Sequence, residues 1–290
     1  MLFPNFFAQL SDQVIPITLH SIIKRFPTFH FSLFTFHLTN AMSIPFDYIL
    51  RLGDNALILS QRLGEWCGHG PVLEQDIALT NIALDLLGQA RMLLSYAAEL
   101  EGRGRSEDDI AYFRDAHQFR NVLLVEQPNQ DWAYTLMRQF FFDTFNYHNC
   151  QALTRSRDER LAAIAEKALK ETTYHLRYSA EWVVRLGDGT EASHQKMQAA
   201  LDDLWPFTGE LTTADATDQA AADAGIGTDL SNIKTLWQAK VDAVLTEATL
   251  RKPTGEWMQS GGKQGRHTEH LGYILAEMQH LQRTYPGNEW

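Results

Sequence analysis

The chain has 290 residues, 44% of them hydrophobic and 21% charged, which suits one large globular domain or two small ones. Its net charge of −11 and pI near 5.4 argue against general binding to nucleic acid or acidic membranes. Two cysteines, Cys67 and Cys150, without a CxxC, exclude a disulfide framework or zinc ribbon and fit a reduced, cytoplasmic setting.

Residues 1–41 differ from the rest. They hold eight of the sixteen phenylalanines, from Phe3 to Phe36, and only three formal charges, Asp12, Lys24 and Arg25. Pro4, Pro16 and Pro27 interrupt the apolar runs, so none approaches the ~20 residues of a membrane span, and the pattern of a secretory signal is missing. The segment reads as a non-native or disordered extension, and 42–290 as a single helical domain.

From Phe46 onward the pattern is helical. The first helix spans about Asp47–Cys67 and stops at Gly68-His69-Gly70-Pro71. The second, Glu74–Glu101, is apolar almost all round, as expected of a helix in the middle of a bundle. It carries Asn81, Asp85 and Gln89 at i, i+4, i+8, one polar stripe predicted to face inward and to need partners there. A connector, about 105–128, holds a short amphipathic piece around Ile110–Phe119. The third helix covers about Gln130–Leu153. Ser156 and Glu159 form the ends of a capping box opening a fourth, which runs to Leu186. Shorter helices follow at about Glu191–Leu204, Asn232–Leu250 and His267–Thr284, separated by a Thr/Ala/Asp-rich loop, 212–228, and a Gly-rich segment, 254–265. The expected architecture is all-α, a four-helix bundle with additional C-terminal helices.

Bundles that hold two metal ions supply a Glu from each of two helices and a Glu-x-x-His from each of the other two, because i and i+3 project from one face. This chain falls short of that set. The first helix offers Glu65. The second offers Asp85, Leu86 and Gln89, and a leucine cannot serve a cation that demands oxygen or nitrogen. The third offers Asp143 and Asn146, and the fourth Thr172 and His175. These eight positions read as a vacated site whose polar members bond to one another. Two literal Glu-x-x-His pairs, Glu191/His194 and Glu277/His280, and the pair His267/His270 lie outside the long helices and read as incidental. In the connector, Arg114, His117, Gln118, Phe119, Arg120 and Asn121 make a donor-rich run, and Gln118–Asn121 are candidate contacts to an anionic ligand beside the reading of a solvated helix end. No P-loop, dinucleotide fingerprint or nucleophile elbow is present.

The stretches RLGDN (51–55), LSQRLGEWCGH (59–69), LDLLGQAR (84–91), LLVEQPN (123–129), Lys170-Glu171 with YHLR (174–177), SGGK (260–263) and HTEHLG (267–272) resemble the non-catalytic C subunits of bacterial multicomponent 1,2-phenylacetyl-CoA epoxidases. The resemblance covers nearly everything after Met42. It implies a ferritin-like fold and a structural role in phenylacetate catabolism. It also implies a hetero-oligomer with a di-iron catalytic subunit, a reductase carrying FAD and an iron–sulfur centre, and a further small subunit. That assembly uses O2 and NADPH to epoxidise phenylacetyl-CoA. This chain itself would bind no cofactor, and nucleic acid and membranes are not among the implied partners.

Two other readings stay open: a self-sufficient dimetal oxidase using Asp85, Gln89, Asp143 and His175, and an acyl-CoA-binding helical module. The reading of residues 1–41 has its own test. A chain begun at Met42 is expected to match the full chain in melting temperature and in pull-down of its partner, and a drop of several degrees would show that the Phe-rich segment contributes to the fold.

Overall fold

The computed structural model describes the backbone of residues 29–255 and 257–288, and side chains from residue 45 onward. The chain divides into two compact units, 1–41 and 42–290, and the helical bundle belongs to the second. The expectation for residues 1–41 falls largely outside the described residues, although helical backbone extends back to Phe29.

The elements are α1 (Phe29–Gly64), α2 (Leu73–Glu101), α3 (Glu107–Tyr112), α4 (Trp132–Leu153), α5 (Glu159–Gly187), α6 (Glu191–Leu204), α7 (Gly209–Thr212), α8 (Ala216–Asp223), α9 (Leu230–Glu247), α10 (Glu269–Met278) and α11 (His280–Thr284). Among the described residues there is no strand. The fold is a ferritin-like bundle of α1, α2, α4 and α5, with the later helices added around it.

The helix at the centre is α4. Fifteen of its residues are buried, including Phe140, Phe141, Phe142 and Phe145, and it lies against α5, α6 and α9. Asp131 caps it by accepting the N–H groups of Ala133 and Tyr134. The apolar character of α2 has a different outcome from the one its sequence suggests. Its inner face, including Leu79, Ile82, Leu86, Leu93 and Leu94, is buried, but Leu73, Ile77, Leu84 and Leu87 are exposed. Among the described residues it is the one helix long and apolar enough to cross a membrane by length and composition, with under half of the qualifying window buried. Gly53 of α1 permits the close approach of α2, since a Cβ there would lie 2.7 Å from Leu94 Cδ2.

Several boundaries differ from expectation for local reasons. The cap of α5 is Asp158, whose carboxylate accepts the Leu161 N–H, while Ser156 spends its hydroxyl on the Ile226 carbonyl. The loop expected at 212–228 contains α8, nucleated by a capping box between Asp215 and Asp218. The piece expected at Ile110–Phe119 is split: Ser106 and Asp109 cap α3, and a 3-10 turn covers Ala116–Gln118. The last helix is also split, into α10 and α11.

Buried carboxylates tie the connector to the C-terminal segment. Glu210 accepts the backbone N–H groups of Leu123 (2.9 Å), Gly261 (3.0 Å) and Lys263 (3.2 Å). Gly262 must be glycine here, because a Cβ would lie 2.2 Å from the Asn121 carbonyl oxygen. Glu126 takes Thr268 N and Oγ1 on one oxygen, and His267 Nδ1 and Asn121 Nδ2 on the other. Arg51 bonds Asp215 and Asp218, and Lys263 Nζ bonds Asp218 at 2.8 Å. Replacing Glu210 with alanine strands three buried N–H donors. Glu210→Ala is expected to lower unfolding free energy by roughly 3 kcal/mol, measured by urea titration.

Candidate functional site

The groups nearest a dimetal template sit where α2, α4 and α5 face one another. Asp143, at the start of the fourth turn of α4, is fully buried; its carboxylate accepts Ser179 Oγ (2.8 Å) and Gln139 Nε2 (2.6 Å). Burial pushes its pKa up to about 6, against the opposing pull of the His175 charge and the bonds from Ser179 and Gln139. His175, also fully buried, donates from Nε2 to Asp85 Oδ2 at 3.0 Å, and Asp85 is 38% exposed at the rim of α2. Gln89 donates to Glu171 at 2.9 Å and accepts from Asn146 at 3.4 Å. Thr172 returns its hydroxyl to the Leu169 carbonyl of its own helix. Leu86 is fully buried and presents hydrocarbon.

Two expectations fail. Asn81 is exposed, so the polar stripe of α2 is not uniformly inward: 81 lies outside, 85 at the rim and 89 inside. The roughly 100° step per residue rotates positions eight apart by about 80°, enough to carry one end of the stripe to solvent. Glu65 lies beyond the end of α1 and bonds Arg62 Nη1 (2.7 Å) and Asn129 Nδ2 (2.8 Å). Helix termination at Gly64 removes it from the helical register that would aim it inward. The polar α1 residue lining the interior cavity with Gln89 and Asn146 is Asn55, beside Leu52 and Ala56; the template did not single it out because it is not a carboxylate. Glu171, Ser179 and Gln139, the real partners of Gln89 and Asp143, lie outside the template's spacing and so carry no signal in the sequence.

The donor set does not fit a dimetal centre. Among the described residues, no three His, Cys, Asp or Glu side chains converge closely enough to hold a metal ion. His175 Nδ1 is buried without a partner, but the neighbouring template positions supply Leu86 and the internally bonded Thr172. The adjoining cavity, lined by Asn55, Gln89, Phe142, Phe145, Asn146 and Cys150, has a volume of about 30 Å³. That admits water, whereas pockets for drug-sized ligands run to roughly 300–1,000 Å³. Burial raises the Cys150 thiol to about 12, leaving it protonated and unreactive there.

Residues 38–290 match the phenylacetic acid catabolic protein family. The chain belongs to that family. A relative, the C subunit of 1,2-phenylacetyl-CoA epoxidase from Escherichia coli (strain K12), is 56% identical over 243 residues, covering 84% of this chain and 98% of that protein.

In this family member the donor-rich connector is turned largely on itself. Phe119 and Asn121 are fully buried, so neither offers a surface to coenzyme A; Phe119 lies under Arg114 (4.1 Å), and Asn121 bonds Glu126. Arg114 is paired with buried Asp54. Gln118 accepts the Asp115 N–H, and Arg120 donates from Nη1 to the carbonyls of His117 and Phe119. Only Gln118 and Arg120 of the four candidate contacts retain solvent-facing surface. The chain turns inward there because the buried carboxylates Asp54 and Glu126 demand donors. Nearby, fully buried Arg138 holds the turn after the connector by donating to the Gln127 carbonyl (2.5 Å) and Asn129 Oδ1 (2.6 Å).

The raised Asp143 pKa has a consequence for stability. The folded chain keeps this proton until about pH 6, whereas the unfolded chain releases it near 4. The contribution is fully present below about pH 4 and is lost as pH rises through 6, a decline of roughly 3 kcal/mol. Asp143→Asn is expected to remove that part of the pH dependence. Denaturant melts of both proteins at about pH 4, 5, 6 and 7 check it, through the difference between their curves.

Proposed function

We propose that this chain is the structural subunit of a phenylacetyl-CoA epoxidase, holding a di-iron catalytic partner in a cytoplasmic complex that also contains a flavin/iron–sulfur reductase and a further small subunit. The observation that carries the reading is the bonding within the four-helix interior. Asp85, Gln89, Asp143, Asn146 and His175 each bond another protein side chain, and Leu86 and Thr172 fill two ligand positions. The similarity to a protein named as the C subunit of such an enzyme supports the assignment to a complex of this kind. Epoxidation of the aromatic ring by O2 then belongs to the partner, and this chain's interior contributes rigidity. The cavity of about 30 Å³ inside the bundle leaves no room there for an acyl chain.

The purified chain is expected to contain no stoichiometric iron or manganese after expression in iron-rich medium, by elemental analysis. In the assembled complex, His175→Ala removes the Asp85 partner and opens a buried void, costing about 2 kcal/mol of this chain's stability. Turnover per partner iron is expected to stay within about twofold of wild type. Two ions per chain, or a hundredfold loss of turnover in an intact, iron-loaded His175→Ala complex, would overturn the structural role.

A further inference from the structure

The outward face of α2 carries a regularly spaced, largely apolar row. Leu73, Ile77, Thr80, Leu84, Leu87 and Arg91 follow alternating steps of four and three residues, the spacing at which one helix meets another along its length. Four of the six are large apolar residues exposed to water: Leu73 at 71%, Leu84 at 59%, Ile77 at 51% and Leu87 at 41%. With Val72, just before the helix, they expose on the order of 500 Å², within the range of the largest patch on a monomer and more than half of the ~800 Å² per partner of a stable interface.

Gly88 points the same way. A glycine inside a helix destabilises it relative to alanine. Gly88 is well inside α2, and a Cβ added to it would meet nothing within 4 Å, so packing within the described chain does not require its absence. Beside Leu84 and Leu87 it leaves a notch that lets an opposing helix backbone approach closely.

We infer that the Leu73–Arg91 face of α2, with Gly88 as its notch, is the docking surface for an amphipathic α-helix of the partner catalytic subunit. This rests on the structural role proposed above. A helix is favoured over a bilayer because the exposed residues form a narrow seam in coiled-coil register, and because a bilayer has no use for a notch one residue wide.

The experiment uses the full chain with the co-expressed catalytic partner. Leu84→Glu and Gly88→Gln are compared with a control, Tyr273→Ser, on the exposed face of α10. Affinity is read by titration calorimetry and stability by thermal melting. Leu84→Glu and Gly88→Gln are each expected to weaken association at least a hundredfold, with Gly88→Gln melting at or above the wild-type temperature. Tyr273→Ser should bind as wild type. Binding within threefold of wild type by both seam variants overturns the docking face while leaving the structural role intact. Absence of any binding by the wild-type chain overturns both. A homodimer of the isolated chain broken by Leu84→Glu makes a second copy the occupant. Flotation with anionic phosphatidylglycerol vesicles, lost on Leu84→Glu, makes it a bilayer. Either result displaces the partner helix.

Discussion

The fold depends on one constraint: α4 is enclosed on nearly every side, yet it carries Arg138, Gln139, Asp143, Thr144 and Asn149 among its buried residues. A polar group removed from water must find a partner or lower the stability of the whole chain. Neighbouring segments are arranged accordingly. The turn at 127–129 delivers a carbonyl and an amide oxygen to Arg138, α5 delivers the Ser179 hydroxyl to Asp143, and the Thr228 hydroxyl meets Asn149. Aromatic packing completes the enclosure, with Phe141 against Trp205 and Trp237 and the Trp237 indole N–H on the Phe141 carbonyl.

A bundle interior of this kind can be satisfied in two ways. Carboxylates and imidazoles can converge on metal ions, which neutralise several negative charges at once. Alternatively, the charges can be thinned and the remainder bonded to neutral donors. This chain follows the second course. Asp143 accepts its hydrogen bonds from uncharged donors and is held towards its neutral form, Gln89 is a neutral amide, and Leu86 presents hydrocarbon. The two arrangements share helices and spacing, so the same bundle suits either an oxidising subunit or a scaffold for one.

Much of the remaining stability lies away from the four helices. Glu126 and Glu210 each gather several donors from segments distant in sequence, closing the connector and the Gly-rich loop onto the bundle. In the connector, Asn121 answers Glu126 and Arg114 answers Asp54, which turns these two donors inward.

The sequence alone determined the helical class, the long-helix boundaries marked by Gly102 and Gly187, and the shortage of ligands at positions 86 and 172, because periodicity, stop residues and residue chemistry are local properties. It also contained the seam from Leu73 to Arg91, but not its meaning. An all-round apolar helix reads as central, whereas the central helix is α4 and α2 keeps one apolar face outside. Which face of a helix is buried depends on what else is present to cover it, and that is a tertiary quantity. The same holds for Glu65 and Asn55. Residue type favours the carboxylate, but the end of α1 at Gly64 turns Glu65 away and leaves the amide facing the interior. Tertiary structure likewise chose Glu171, Ser179 and Gln139 as partners, since hydrogen bonds across helices depend on relative rotation and height, which spacing within one helix does not encode.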